Sequence, residues 1–268
     1  MKFTAEKPLI IAHRGASALA PENTLAAFER AIRDGAEGIE FDVRLAKDGV
    51  PVVIHDADLK RLADKKKRIS LFTSQELQTF DVGSWFNAKY PEKADDQFSR
   101  ETVPTFPQLL KFLGDYKGLI YVEIKCKKAE TTALVKAVCQ LIEQTNLLSQ
   151  IVLKSFNLGA LIQARNFLPE VRTAALFSPK ILTVVRKRKH ILQKAEKCGA
   201  NEISLHYSLA TKGFVERAKN KGLATIIWTV DNSIWIKRAL DLGIYAVITN
   251  NPAHLLAKKQ KLFAKQYK

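Results

Sequence analysis

The sequence is poor in sulfur, with one methionine and three cysteines in 268 residues. The cysteines, Cys126, Cys139 and Cys198, are odd in number and form no C-x-x-C pair. This pattern argues against a disulfide framework and against a zinc cluster. It suits a reducing compartment, in which cysteines serve as ordinary packing residues.

Long apolar runs are also missing. No stretch approaches the roughly 18 consecutive apolar residues that a membrane helix needs. The N-terminal MKFTAEKPLIIAH has an apolar core too short for a secretory signal, and a glutamate interrupts the segment. These absences favour a cytoplasmic protein without a transmembrane segment.

Negative charge is scarce, because 27 acidic residues face 43 lysines and arginines, for a net charge of +16. Basic residues cluster at 65–68 (KKKR), 186–190 (RKRKH) and 258–268 (KKQKLFAKQYK). Nucleic acids and anionic membranes attract such clusters, but no stacking aromatics are interleaved here. We therefore expect a solvated basic surface that attracts an anionic small molecule, and no nucleic acid. A weak contact with an anionic membrane stays open.

Apolar residues are plentiful at 47% of the chain, which is enough for one large core. Near-continuous apolar strands alternate with segments of helical period, as in a parallel sheet covered on both faces. Eight such units in about 250 residues predict a (β/α)8 TIM barrel, with a doubly wound open sheet as the alternative. We predict strands at 9–13, 38–43, 119–124, 151–155, 172–177, 202–206, 223–230 and 245–249, and helices at 24–34, near 106–114, and at 129–147, 157–167, 180–198, 210–221, 232–242 and 252–264.

One interval breaks this rhythm. About sixty residues separate the second strand from the helix near 106–114, far more than an ordinary strand–helix loop. The interval holds a further extended run, VPVVIHD, and then the basic stretch KKKR. We interpret approximately 56–105 as a small insertion after the second strand that caps one end of the barrel. The whole chain, 1–268, is then a single domain.

Three carboxylates stand out within apolar strand patterns: Glu40, Asp42 and Glu123. Glu40 and Asp42 are two residues apart and share a strand face, and reactive groups of a barrel lie at the carboxyl ends of its strands. Inward charges of one sign are costly unless compensated. An all-oxygen cluster suits Mg²⁺ or Ca²⁺ better than zinc. We predict that the three side chains hold a divalent metal cation.

Two of the five histidines, His13 and His55, end successive extended runs and suit general acid–base chemistry near neutral pH. Arg14 and Lys125 are positive groups beside them, and a site with a cation, two cationic side chains and two histidines suits a phosphate ester. Trp228 is a candidate wall for the apolar part of a ligand, with core packing as the alternative.

Three further residues have weaker signals. His206 lies at a strand end without an identified partner. Asn23 is a plausible N-cap for the first helix. Glu22 has no assigned partner: it could orient Arg14 or a histidine, or only favour the helix start.

Several motifs together resemble the glycerophosphodiester phosphodiesterases of the cytoplasmic bacterial type. They are HRGASALAPENT, EGIEFDVRLAKDGVPVVIHDADLKRL, YVEIK, SFN and IIWTVDN, in order from near residue 9 to about residue 252. The resemblance implies a (β/α)8 barrel that uses a divalent metal to hydrolyse glycerophosphodiesters to sn-glycerol 3-phosphate and an alcohol. By position, it implies that His13 and His55 form the acid–base pair, that Glu40, Asp42 and Glu123 are metal ligands, and that Arg14 and Lys125 contact phosphate.

The sequence departs from the family pattern in places. The family often has Thr-Asp at the end of the eighth strand, where this chain has Thr249-Asn250, and often has asparagine where this chain has Tyr121. The usual threonines and glycines after HDADLKR are replaced by LADKKKRIS, so the alcohol specificity is not implied.

Two alternatives use the same chain differently. A lysophospholipase D or related lipid phosphodiesterase would need an apolar groove in the insertion, for which Trp85, Phe86 and Phe98 are available. A catalytically inactive basic binding protein would show strongly salt-dependent binding and no metal-dependent turnover.

Overall fold

The structure, a computed structural model, describes residues 7–179 and 186–264, with the backbone alone for 186–189. Its strands are β1 (Leu9–His13), β2 (Gly38–Leu45), β3 (Pro51–Val53), β4 (Asp58–Leu59), β5 (Lys65–Arg68), β6 (Leu119–Ile124), β7 (Ile151–Ser155), β8 (Arg172–Phe177), β9 (Glu202–His206), β10 (Ala224–Trp228) and β11 (Ala246–Thr249). Its α-helices are α1 (Leu25–Arg33), α2 (Lys60–Ala63), α3 (Ser74–Leu77), α4 (Ser84–Lys89), α5 (Phe106–Phe112), α6 (Thr131–Glu143), α7 (Leu158–Phe167), α8 (Arg186–Lys197), α9 (Lys212–Asn220), α10 (Ile234–Leu242) and α11 (Pro252–Ala264).

Eight parallel strands close into a barrel. Around the barrel the order is β1, β2, β6, β7, β8, β9, β10 and β11, and β1 pairs with both β2 and β11. This closure confirms the predicted (β/α)8 barrel and makes the doubly wound open sheet wrong. The eight predicted barrel strands are all present, with ends that differ by at most two residues.

The predicted helices are also present. α6 is shorter than its predicted 129–147, because a 3-10 turn precedes it at Lys128–Glu130 and it ends at Glu143. For the helix predicted at 180–198, residues 180–185 lie outside the described part of the chain, and the rest is α8.

Alternation along each strand separates the barrel interior from the helical layer. Side chains such as Ile11, Tyr121 and Val152 fill the interior. Their strand neighbours pack outward against the helices, as Ile120 and Leu153 do in the largest apolar cluster. Because both faces are buried, the strands have almost continuous apolar sequences. A charged residue at an inward position is therefore conspicuous.

The segment between β2 and α5 begins as part of the sheet, since β3 pairs antiparallel with β2. The β4–β5 hairpin and the short helices α2, α3 and α4 follow around a small core of their own that includes Leu59, Ile69 and Leu77. Arg61 of this segment pairs with Glu22 of the β1–α1 loop, which places the segment against the carboxyl ends of the strands. The predicted bounds of the insertion, 56–105 within one domain, stay a prediction.

The aromatic residues of the insertion do not form a groove. Phe86 and Phe98 are 0% and 9% exposed and pack edge to face. Trp85 contacts Phe86, and its indole Nε1 donates to the Val82 carbonyl oxygen at 2.7 Å. Phe86 and Phe98 are therefore packing residues and do not supply the apolar groove that a lipid phosphodiesterase would need, and Trp85 is half-buried.

The N-cap of α1 is Thr24, whose hydroxyl accepts from the Ala27 amide at 3.3 Å. The prediction of Asn23 for this position is wrong by one residue. Asn23 is buried in a left-handed conformation (φ 59°) and turns its side chain into the barrel mouth.

No helix in the described residues combines the length and the apolar character needed to cross a membrane. Lys65–Arg68 form β5, in which all four side chains are exposed. The side chains of 186–189, and residues 265–268 of the C-terminal basic cluster, lie outside the described part. Cys139 and Cys198 are buried packing residues, as expected, and Cys126 is half-buried.

Candidate active site

The three predicted carboxylates lie together inside the mouth of the barrel. Glu40 and Asp42 point to the same side of β2, and Asp42 is in register with Glu123 of β6. Their side chains are 0%, 1% and 8% exposed. One oxygen of each lies within 4.8 Å of an oxygen of the others. The fold therefore forms the acidic cluster that the sequence predicts.

Lys125 and Arg14 neutralise one side of this cluster. The Lys125 Nζ lies 2.5 Å from Glu123 Oε1 and 3.2 Å from Asp42 Oδ1, and the Arg14 Nε lies 3.2 Å from Asp42 Oδ2. Burial favours the neutral form of Asp42, but Lys125 and Arg14 outweigh it and hold the pKa of Asp42 well below its usual range. Burial likewise opposes the charge of Lys125, yet Asp42 and Glu123 raise its pKa.

Lys154 neutralises the other side, and sequence reasoning assigned it no role. Its Nζ lies 2.6 Å from Glu40 Oε1 and 3.7 Å from Glu123 Oε2, with the side chain only 2% exposed. The signal available in the sequence is a charge two residues after Val152 in the otherwise apolar strand IVLKS, at an inward position.

The cluster fits a divalent cation. Its donors are carboxylate oxygens, the ligands that Mg²⁺ and Ca²⁺ prefer, and they converge from two adjacent strands. Three carboxylates already match three cationic side chains, so a bound ion would leave the site positive and complementary to an anion. Arg14 Nε is buried without a well-aligned hydrogen bond, which leaves it available to an anion oxygen.

His13 leaves β1 beside the cluster, with its Nε2 3.9 Å from Glu40 Oε2. Its Nδ1 lies 2.7 Å from Asn250 Oδ1. Asn250 is oriented by Asp231, which accepts from the Asn250 amide nitrogen at 2.8 Å. With its oxygen toward the ring, Asn250 can only accept, so Nδ1 carries the proton and Nε2 is the free base. Burial lowers the pKa of His13 more than Glu40 raises it, which favours the neutral ring.

His55 follows β3 and has the same arrangement. Its Nδ1 donates to Asp56 Oδ1 at 2.8 Å, and Asp56 accepts from Arg61 Nε at 2.7 Å. The His55 hydrogen bond, with help from Arg61, holds the pKa of Asp56 well below its usual range. The two histidines thus both keep Nε2 free while a neighbour holds Nδ1.

Glu22 connects the two halves of the mouth. It pairs with Arg14 at 2.8 Å and with Arg61 at 2.7 Å. The sequence left open whether Glu22 orients Arg14 or a histidine, or only favours the helix start. These contacts show that Glu22 orients Arg14.

Asn23 fixes the position of Asp42 in the acidic cluster by two hydrogen bonds. Its amide nitrogen donates to Asp42 Oδ2 at 3.0 Å, and its amide oxygen accepts from the Asp42 backbone amide at 3.3 Å. Asn23 has a left-handed backbone, a conformation that asparagine adopts more readily than most other residues except glycine.

Aromatic side chains line the mouth at the ends of β7, β9 and β10. The Trp228 ring packs edge to face with Phe156 at 5.8 Å and with His206 at 5.6 Å. His206 stacks on Tyr207, and its Nδ1 lies 2.7 Å from Ser208 Oγ. Burial lowers the pKa of His206. Trp228 and His206 thus lie side by side at the mouth, and the role of Trp228 as a wall for a ligand stays a prediction.

A barrel whose strands present a metal-type acidic cluster with cationic side chains around it at one mouth is of the class of enzymes that act on phosphate esters. Comparison with known proteins makes this class specific. Residues 13–254 match the model of the glycerophosphoryl diester phosphodiesterase family, and the chain belongs to that family.

Individual relatives agree with this assignment. The chain is 31% identical over 252 residues to a glycerophosphodiester phosphodiesterase from Caldanaerobacter subterraneus subsp. tengcongensis, covering 93% of this chain and 97% of that protein. It is 30% identical over 256 residues to one from Bacillus subtilis, covering 93% and 86%. A solved Oleispira antarctica phosphodiesterase in complex with the product sn-glycerol-3-phosphate superposes with a TM-score of 0.82 at 26% identity, covering 95% and 97%. The chain is therefore an enzyme, a phosphoric diester hydrolase.

Proposed function

We propose that this enzyme hydrolyses glycerophosphodiesters to sn-glycerol 3-phosphate and an alcohol. The observation that carries the proposal is the acidic cluster of Glu40, Asp42 and Glu123, with His13, Arg14 and Lys125 beside it at one barrel mouth. The product in the Oleispira antarctica structure supports the choice of sn-glycerol 3-phosphate.

His13 and His55 serve as the acid–base pair. Each ring has its Nδ1 occupied, by Asn250 and by Asp56 respectively, so each exchanges a proton at Nε2. One histidine takes the proton of the nucleophile and the other protonates the departing alkoxide. The neutral state favoured for His13 makes it ready to accept a proton.

Arg14 and Lys125 bind the nonbridging phosphate oxygens and stabilise the charge that develops on them. The Arg14 Nε lies in an ion pair with Asp42 without a well-aligned hydrogen bond, and Glu22 holds the orientation of the guanidinium. Trp228 lines the space for the carbon skeleton of the ligand. When bound by Glu40, Asp42 and Glu123, Mg²⁺ or Ca²⁺ supplies Lewis-acid polarisation of the phosphoryl group.

The nucleophile is either water or the glycerol 2-hydroxyl, which would give a cyclic phosphate first. Turnover in oxygen-18 water, with a search for the cyclic intermediate, distinguishes the two routes.

The test is a panel of glycerophosphocholine, glycerophosphoethanolamine and glycerophosphoglycerol with Mg²⁺ or Ca²⁺. Release of sn-glycerol 3-phosphate is expected, and a chelator stops it. His13→Ala and Glu40→Gln lower kcat/KM by at least about 10²-fold, whereas His254→Ala, at an exposed position on α11, leaves it unchanged. Full activity of either site variant contradicts the site assignment.

Two observations disfavour the alternative functions, a lipid phosphodiesterase and a catalytically inactive binding protein. Phe86 and Phe98, on which a lipid phosphodiesterase would rely, are buried together against Ala27 of α1. A catalytically inactive binding protein disagrees with membership of a family of enzymes and with the assembled acidic cluster.

A further inference from the structure

A cavity of about 430 Å³ opens beside the acidic cluster, between the carboxyl ends of β2, β6 and β7 and the insertion. Its size is within the roughly 300–1,000 Å³ of small-molecule sites. Glu123 and Lys125 line the cavity and belong to the cluster side, and Phe156 also lines it. A substituent on a phosphate held at the cluster can therefore extend into this cavity.

The charge of the cavity is mainly positive. Four cationic side chains line it, against two carboxylates, and one of those carboxylates, Glu123, already contacts Lys125 and Lys154. The four cationic residues are Arg44, Arg68, Lys125 and Lys127.

Three of these cations are available to a ligand. Within the part of the chain that the structure describes, Arg44, Arg68 and Lys127 form no ion pair. Arg44 lines the cavity and uses its Nε to donate to the His55 carbonyl oxygen at 2.8 Å, which fixes the guanidinium in place. Arg68 is the last residue of β5, and its partner in the β4–β5 hairpin is Asp58, whose side chain instead accepts from the Lys60 amide.

We propose that this cavity receives the alcohol half of the substrate and selects head groups that carry a phosphate of their own. The inference rests on the proposed hydrolysis of glycerophosphodiesters. The glycerol half is uncharged, so the basic cavity gains most from a charged second half. A choline or ethanolamine head group brings a positive charge to a positive wall and is disfavoured there.

Part of this selectivity comes from the insertion. Arg68 belongs to the stretch LADKKKRIS, where the sequence departs from the family pattern, and the β4–β5 hairpin places it at the cavity. Its neighbours in β5 are exposed and do not line the cavity, and Lys67 instead packs over the Phe72 ring at 4.3 Å. Arg68 is therefore the specificity-determining residue of the insertion.

The experiment uses a matched pair of diesters, glycerophosphoglycerol and the same molecule with a phosphate on its terminal hydroxyl. Loss of the diester is followed by phosphorus NMR at about 0.15 M ionic strength. We expect kcat/KM for the phosphorylated diester to exceed that for glycerophosphoglycerol and for glycerophosphocholine by about tenfold or more.

Arg68→Gln is expected to lower kcat/KM for the phosphorylated diester about tenfold and to lower kcat/KM for glycerophosphoglycerol by much less. Lys127→Gln is also expected to lower kcat/KM for the phosphorylated diester. Lys66→Gln removes one charge from the same strand away from the cavity and is the control, with no effect on either substrate.

Equal rates on the matched pair, or an equal loss on both substrates in Arg68→Gln, overturns the inference while the proposed function stands. No turnover of any diester with Mg²⁺ or Ca²⁺ overturns the proposed function instead.

Discussion

Asn250 decides which nitrogen of His13 carries the ring proton. Its amide nitrogen is held by Asp231, so its oxygen must accept from His13 Nδ1. The family often has aspartate at position 250. In this chain the neutral amide of Asn250 contacts the His13 ring, and the Asp231 carboxylate contacts Asn250 instead of the ring. The ring keeps its orientation while the charge next to it is removed, which leaves burial free to lower the pKa of His13.

Replacing Asn250 by leucine is expected to lower kcat about 10–100-fold, the usual cost of losing a group that orients a functional side chain. The reason is that His13 loses the acceptor that holds its tautomer. KM is expected to change little, because Asn250 makes no contact with the phosphate-binding groups. Steady-state kinetics with glycerophosphoglycerol measures both.

Ser17→Ala is the control, since Ser17 also donates to Asn250 Oδ1 at 3.0 Å but does not touch His13. An unchanged kcat in Asn250→Leu, or an equal loss in Ser17→Ala, contradicts this role.

Glu22 contributes stability that depends on pH. Burial favours its neutral form, but the Arg61 and Arg14 cations outweigh burial and lower the pKa of Glu22. A carboxylate with a lowered pKa stabilises the fold above its unfolded pKa of about 4.3, and this contribution is lost as the pH falls through the folded-state pKa.

Glu22→Gln is therefore expected to lower the free energy of unfolding by about 1–3 kcal/mol at pH 7. The difference from the wild type shrinks as the medium is acidified toward about pH 3. Urea unfolding at both pH values measures it, and Glu29→Gln, at an exposed position on α1, is the control without effect. A difference that does not change with pH disproves the linkage.

At the scale of elements, the turn between β1 and α1 depends on close packing at Gly15. Gly15 has φ +79°, and a Cβ there would lie 2.5 Å from the Ala27 carbonyl carbon in α1. Gly35, at the other end of α1, has φ +80° but no atom within 4 Å of an added Cβ. The two glycines separate backbone strain from steric overlap.

Gly35→Ala is expected to cost about 1–2 kcal/mol for the left-handed backbone alone. Gly15→Ala adds the overlap with α1, about 1–3 kcal/mol more, and lowers kcat/KM because Arg14 is displaced with the turn. Denaturant unfolding and kinetics of both variants test this. Equal destabilisation of the two would show that α1 does not fix the turn.

At the scale of the whole molecule, the barrel buries the carboxylates of Glu40, Asp42 and Glu123 beside three cationic side chains. An ion bound by these carboxylates in the folded state raises the free energy of unfolding. A ligand that binds only the folded state at 100 times its Kd stabilises that state by about 2.7 kcal/mol. Mg²⁺ or Ca²⁺ is therefore expected to raise the Tm, relative to a chelator, in a concentration-dependent way.

Glu123→Gln is expected to reduce the shift of Tm by the ion, because one ligand of the cluster is lost. Glu130→Gln, which removes a carboxylate of the neighbouring cavity outside the cluster, keeps the full shift. Calorimetry with chelator and with each ion measures both. A shift that is the same in both variants would place the ion elsewhere.

The sequence by itself determined the barrel and most of its chemistry. Strands buried on both faces need continuous apolar runs, so eight such runs separated by helical periods predicted a barrel, and the pairing of β1 with β11 excluded the open sheet. The alternation of side chains along a strand placed Glu40 and Asp42 together, since that spacing is local. The apolar strand around Glu123 and the strand ends at His13 and His55 placed these residues at the same mouth, and the family motifs agreed.

Only the tertiary structure decided which groups complete that mouth. Lys154 meets Glu40 across 114 positions of sequence, and Asn250 meets His13 across 237, so no local pattern encodes either contact. Asn23 was predicted as the N-cap of α1 because the sequence does not show that its side chain binds Asp42 of β2. Whether the aromatic residues of the insertion form a groove was also open in the sequence, because composition does not reveal which surface covers a side chain. Short-range periodicity is set by backbone geometry, whereas these pairings are set by closure of the barrel, which brings distant strand ends together.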